Sequence, residues 1–330
     1  MDRIFHLKTL SLAGVSGLMI ALLSCGRTVD PEKSDAYFLK KGSVYYVPGG
    51  NWFERGSKKM DADAETFRPL ARAYGKDRHY IYFRASRQPG IDVTSFVIEQ
   101  EIPRDKNNVY YYNGKDIDFN RNGEDMLLIV KNADPKSYQK LDKPYTAFTR
   151  DKQHYFYRNQ AIDVDYASFH MLNPCFMKDT GFLYLDDGST FQRLDISFKK
   201  AAMLTGRYIC IDDHLLLYYR HYRNEGLIRQ HISAESLPAR VVDEDILKTK
   251  SSVYVFGKII GNADPESFEV LFKTATELVA KDRNHVYCQD KEMDVPDVAG
   301  FRRAVRPGGK NIFFEDDLGN TYDRSVRKVQ

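Results

Sequence analysis

Asp118-Phe119-Asn120-Arg121-Asn122-Gly123-Glu124-Asp125 is the sharpest candidate for chemistry in the chain. Oxygen donors at alternate positions before a glycine are how a calcium loop begins, because a hard cation is held by many oxygens. An apolar run, Leu127-Leu128-Ile129-Val130, follows. Two departures count against a metal. Position twelve of the loop is Ile129, which brings no carboxylate, and the later acid, Asp125, comes one residue early. Asn and Gly also make a polar hairpin tip unaided. No metal site is assigned.

The other reactive side chains give less. His79, His154 and His285 recur in turn-to-strand segments, and recurrence argues for structural use, since a catalytic residue is needed once. His214 and His221 flank Leu215-Leu216-Leu217 with no carboxylate partner by spacing. Asp243 and Asp245 read as a solvated acidic segment. Cys175, Cys210 and Cys288 are an odd, widely spaced set without a Cys-x-x-Cys pair, so they form neither a disulfide framework nor a zinc site. Whether two of them pair is left open. There is no Gly-x-Ser-x-Gly, His-Glu-x-x-His or phosphate loop. The reading is a non-enzyme with no catalytic residue and no cofactor.

The elements that would carry any site are repeated. One phrase sets Asp three residues before Ser or Thr, with an aromatic next: Asp63–Thr66–Phe67, Asp92–Ser95–Phe96, Asp134–Ser137–Tyr138, Asp165–Ser168–Phe169 and Asp264–Ser267–Phe268. Steps between the Asp residues are about 29, 42, 31 and 99, a repeat-architecture period. Asp is a favoured helix N-cap and Pro265 suits a first helical position. The phrase is therefore expected to start a short capped helix that turns its aromatic inward. A second phrase precedes it. Asp105-Lys106-Asn107-Asn108-Val109-Tyr110-Tyr111-Tyr112 runs into Asn113-Gly114, a strong hairpin signal. Related runs start at Asp77, Asp151 and Asp282, with worn versions at Asp179 and Asp213. Ser233-Ala234-Glu235-Ser236-Leu237 and Asp297-Val298-Ala299-Gly300-Phe301 are worn helix phrases, and Lys310-Asn311-Ile312-Phe313-Phe314 is a closing strand. About eight units result.

These runs resemble the DKNYY repeat family of bacterial envelope proteins, best at Asp105–Tyr112 and partially at Asp77, Asp151 and Asp282. The similarity covers about 40–320. It implies a repeat fold and carries over no catalytic residue.

The amino terminus suggests a compartment. Arg3 and Lys8 precede the apolar run Leu10–Leu23, the layout of a secretory signal. Leu22-Leu23-Ser24-Cys25 resembles a bacterial lipobox, which would make Cys25 the acylated first mature residue. Gly26 is not the Asp that favours inner-membrane retention, so the outer membrane is expected, on either its periplasmic or its outer face. The chain divides into a signal peptide (1–24), a lipidated tether (25–36) and a repeat domain (37–330).

Net charge is +3 over 330 residues, and near +2 without residues 1–24, which excludes a nucleic-acid footprint. The 22 Tyr and 20 Phe are read as the core of small repeats rather than as a stacking surface. Trp52, the single Trp, falls beside Gly49-Gly50 in the longest early loop and reads as a packing residue. The expected fold is mainly β with some α, a solenoid-like array of β-hairpins and short capped helices, with a closed β-propeller as the alternative. The expected function is a lipid-anchored binding or scaffolding protein of the envelope. Its partners would be the membrane through Cys25 and an unidentified envelope protein or glycan, with no nucleic acid. A glycan-binding or glycan-cleaving accessory and a toxin-neutralising immunity lipoprotein are the alternatives.

Overall fold

The computed structural model describes residues 26–48, 56–114, 126–143, 145–220, 226–304 and 312–329. Cys25, Trp52, His221 and the Asp118–Asp125 run lie outside them. The chain forms two compact units, Met1–Asp163 and Val164–Gln330.

Both units are built from one element, a four-stranded antiparallel meander with its strands in sequence order. The second sheet shows the plan. Its strands are Arg68–Ala71, Tyr74–Lys76, Ile81–Phe83 and Ser86–Gln88. Among the described residues the first unit has four such sheets, spanning 27–59, 68–88, 97–129 and 139–161. In the third of these the two hairpins meet only through the bridge between Arg104 and Val109. The second unit has five, spanning 170–194, 201–231, 240–260, 269–293 and 302–329. This mainly β repeat array is the fold class expected, with nine sheets where about eight units were read.

Burial explains the spelling of the strands. Third strands are the most apolar. Ile81–Phe83, Tyr155–Tyr157, Leu215–Tyr218 and Val253–Val255 are buried at every position. A strand covered on both faces reads as a continuous apolar run. Fourth strands are edges, and Gln160–Ala161 is exposed and largely polar. Successive sheets share cores. Tyr37, Tyr46, Phe67 and Tyr82 join the first two sheets of the first unit. Tyr208, Tyr218, Tyr254, Phe268 and Tyr287 run through three sheets of the second. No single sheet could bury these rings alone, which is the logic of stacked repeats.

Four expectations change. The Asp phrases are single capped turns, not helices. Phe67 N–H bonds the Asp63 carbonyl at 2.8 Å, and the chain then enters the strand Arg68–Ala71 at once. Strand pairing takes the backbone groups that a second helical turn would need, and one turn does not repay helix nucleation. The one helix among the described residues is the 3₁₀ turn Ala234–Ser236, capped by Ser233 as the sequence suggested. Asn113-Gly114 does not close a two-residue hairpin. Gly114 does take positive φ, but Tyr110–Tyr111 pairs with Leu128–Ile129, so the connection runs from 112 to 127. The polar stretch assigned to a tether is folded, because Arg27–Asp30 pairs with Ser34–Lys40 as the first strand. Finally, Phe313–Glu315 is the second strand of the last sheet, and two more follow it.

Candidate functional site

Six of the nine sheets described use signature residues to close one end. Take Asp77, in the turn between second and third strands and 5% exposed. One carboxylate oxygen accepts the N–H groups of His79 and Tyr80, both at 2.8 Å. The other accepts the Tyr82 hydroxyl at 2.7 Å and the Asp63 N–H at 3.0 Å. Asp63 is the Asp of the incoming phrase, so the two phrases dock on each other. The Thr66 hydroxyl accepts the Arg78 N–H and donates to Asp63, and the Arg78 guanidinium pairs with Asp63 at 2.6 Å. Phe67 then lies edge-on to Tyr82, ring centres 5.8 Å apart.

The clasp recurs at Asp105 with Asp92, Asp179 with Asp165, and Asp282 with Asp264. Asp151 with Asp134 keeps the backbone bonds, but the position five residues on is Phe156. There the hydroxyl has moved to Tyr138, which stands where other phrases carry Phe and receives a bond from Thr149 at 2.7 Å. In the last sheet Asp317 replaces the basic residue after the buried Asp316, and Arg302 supplies the compensating cation.

Burial pushes the buried carboxylates up, but their hydrogen bonds outweigh it. Asp77, Asp105, Asp179 and Asp282 all end below the ordinary Asp value. The partner phenols move the other way. Burial, and then the adjacent carboxylate, hold Tyr82 and Tyr287 well above an ordinary tyrosine. All of this chemistry serves the fold.

A second recurrent cation was missed in the sequence. The residue before the buried Asp is Lys or Arg in five clasps, those of Asp77, Asp105, Asp151, Asp179 and Asp282, and in three of them it reaches forward to the next phrase. Lys76 donates to the Val93 carbonyl, Arg104 to those of Pro135 and Tyr138, and Lys248, at the same strand end, to that of Phe268. Lys281 donates to three carbonyls, Val298, Ala299 and Phe301. A basic residue on each side of Asp in Lys76-Asp77-Arg78, Arg104-Asp105-Lys106 and Lys281-Asp282-Arg283 was the available signal.

The opposite end of the sheets is where the repeats diverge. In a four-strand meander the first-to-second and third-to-fourth connections share the end away from the clasp. In the first unit the connections 47–57 and 112–127 join third and fourth strands. In the second, 219–227 does the same, and 305–312 joins first and second strands.

That end of the second unit also carries a charged hub, which corrects the reading of Asp243 and Asp245. Asp245 is 1% exposed, not solvated. It accepts the Tyr218 hydroxyl at 2.9 Å, and pairs with Arg207 and with Lys273 at 2.8 Å. Lys273 also binds Asp243 at 2.9 Å, while the Tyr208 hydroxyl donates to the Asp245 carbonyl at 3.1 Å. Burial works against ionisation of Asp245, yet Arg207, Lys273 and Tyr218 bring its pKa below the ordinary value. The hub stitches together three consecutive sheets. Nothing in the local sequence marks it, because its partners come from residues 207–273.

The remaining candidates stay apart. His154 and His285 sit three residues after their buried Asp, with their rings against Phe156 and Tyr287. His79 is one position earlier in its turn. Cys175, Cys210 and Cys288 are free thiols, and burial raises Cys175 to about 12, far from a reactive thiolate. Among the described residues no three His, Cys, Asp or Glu side chains are grouped to hold a metal, and no helix is long and apolar enough to cross a membrane.

The DKNYY family model matches residues 28–115 and 246–306. The clasps at Asp134–Asp151 and Asp165–Asp179 lie between these segments, so the same construction continues through the unmatched middle. No curated protein matches the chain. Among solved structures, the apo AztD protein of Citrobacter koseri aligns at 9% identity, over 90% of this chain and 84% of that one, with a TM-score of 0.16.

Proposed function

We propose that this DKNYY-family chain is a lipid-anchored binding or scaffolding protein of the bacterial envelope, and not an enzyme. One observation carries the binding part. The recurrent Asp, Ser, Tyr and Lys side chains are consumed by clasps and forward staples at one end of most of the sheets described. The connections that vary most in length from repeat to repeat lie at the other end, and in repeat proteins the face carrying such insertions is commonly the binding face. Most tyrosines are taken up by the core, and Tyr80 is the one that stands among the exposed large apolar side chains described. The Asp243–Asp245 pair is engaged by Lys273. A stacking row or a carboxylate dyad for glycan cleavage therefore gains no support.

The anchoring part rests on Arg3, Lys8, the run Leu10–Leu23 and Leu22-Leu23-Ser24-Cys25. With Arg27 already in the first strand, Gly26 alone would separate an acylated Cys25 from folded protein. Such a domain would ride close against the bilayer. Gly26 after the cysteine favours the outer membrane.

Two measurements test the proposal. Mass spectrometry of the mature amino terminus should find acyl chains on Cys25, and Cys25→Ala should release a folded protein from the membrane fraction. A pull-down from envelope extracts with the anchored protein, run beside a glycan array, should recover a partner that shortening of 112–127 or 219–227 abolishes. An unmodified Cys25 would sink the anchor, and capture unaffected by both deletions would sink the binding face.

A further inference from the structure

We propose that Arg220 is the recognition group of a site for an oxyanion, a carboxylate or a phosphate, at the non-clasp end of the sixth and seventh sheets. The proposal deepens the binding reading by naming the chemistry this end would recognise. Arg220 follows the buried strand Leu215–Tyr218 and is itself 4% exposed. Its guanidinium lies over the Phe256 ring, 5.0 Å from the centre. Nε, Nη1 and Nη2 are all buried, and among the described residues none meets a carboxylate or makes a hydrogen bond of good geometry. The Tyr218 hydroxyl, which donates to Asp245, approaches Arg220, and the guanidinium's charge and hydrogen-bonding work against the burial that raises the Tyr218 pKa; a neutral phenol still leaves the guanidinium charge without a paired anion.

Among the described residues, the acids of the neighbouring turn are already engaged elsewhere. Asp245 is taken by Arg207, Lys273 and Tyr218, and Asp243 by Lys273. Glu244 is exposed and packs toward Gly206. A buried guanidinium without a paired anion is costly, and a fold retains one at a cost in stability. Its planar fork of N–H donors matches the two oxygens of a carboxylate or phosphate, and the apolar ring beneath it strengthens such a pair by excluding water. The aromatic floor, the unpaired fork and the already neutralised neighbours together describe a receptor for an anionic group.

Thermal melts of the full chain test this at constant ionic strength, with chloride replaced stepwise by phosphate or by acetate. The wild-type midpoint should climb with the logarithm of one anion's concentration, as ligand linkage requires. Phosphate alone raising it would identify a phosphate group, and acetate a carboxylate. Arg220→Met replaces the charge by an apolar chain of similar reach. It should fold at least as stably in chloride and bind the anion about tenfold more weakly or not at all. Should that variant not fold, Arg220→Lys keeps the charge, loses the fork, and should weaken the response severalfold. No response to either anion, or an equal response in wild type and variant, overturns the proposal. So does a crystal grown in the responding anion that shows only water at Arg220. The melts require neither lipid nor partner, so their failure is distinct from a failed pull-down.

Discussion

The Tyr287 hydroxyl donates to the buried Asp282 carboxylate at 2.8 Å, and the same carboxylate oxygen receives the Asp264 N–H at 2.9 Å. One acid therefore holds its own hairpin, a core tyrosine and the incoming chain. The costs of removing the two partners should differ. Tyr287→Phe removes one charge-assisted bond and should destabilise by about 1.5–3 kcal/mol. Asp282→Asn keeps the shape but turns an acceptor into a donor facing other donors, and should cost about 3 kcal/mol or more. Urea unfolding of the two variants checks the order. A larger loss for Tyr287→Phe would mean that the tyrosine hydroxyl, not the backbone bonds to the carboxylate, organises the turn.

Acid should unpick the clasps. Asp77, Asp105, Asp179 and Asp282 have folded-state pKa values below the ordinary one, and Asp264, bonded to Ser267, is brought down to about 2. A depressed carboxyl stabilises the fold fully above its unfolded value of about 3.9 and loses that contribution as pH falls through the folded value. Stability should be flat near neutrality and drop between about pH 4 and pH 2. In Asp282→Asn the slope in that window should be shallower. A drop centred near pH 6 would point to histidines instead.

Phe268 is 5% exposed and meets Tyr287 at 6.0 Å between ring centres. Phe268→Ala should cost about 3–5 kcal/mol through cavity formation. Asp264→Ala removes a turn cap and an exposed pair with Arg283, and should cost about 1–2 kcal/mol. Denaturant melts that show both changes to be negligible would separate the phrase from the fold and make it a surface feature.

How far the sequence revealed this follows from distance along the chain. The clasp joins phrases some 13–18 residues apart, such as Asp63 with Asp77 and Asp264 with Asp282, and both halves recur, so repetition exposes them. The phrase was misread as a helix start because an Asp-capped turn and an Asp-capped helix share their first four residues. What differs is whether residue five, Phe67 or Phe268, leads into a strand, and that depends on pairing with a distant neighbour. First strands such as Arg68–Ala71 are short and weakly apolar, so they left no period-two signal. Asp245 was invisible for another reason. Its partners Arg207, Tyr218 and Lys273 come from the sheets on either side of its own and appear once, so no spacing rule finds them.

The forward staple makes the last prediction. Lys281 donates to the carbonyls of Val298, Ala299 and Phe301, and so ties the eighth sheet to the turn that begins the ninth. In a stacked repeat, stability is a sum of unit terms and nearest-neighbour terms. Lys281→Met keeps the apolar stem and removes only the neighbour term, at about 1–3 kcal/mol for bonds to a charged donor. Amide exchange should therefore quicken in Phe313–Glu315 and leave Val253–Val255 almost unchanged. Lys258→Met is the control, since Lys258 makes only a half-exposed pair with Asp290 and should change stability by about 0.5 kcal/mol or less. Equal quickening in both strands of Lys281→Met would show that the second unit unfolds as one block, with no separable interface between its last two sheets.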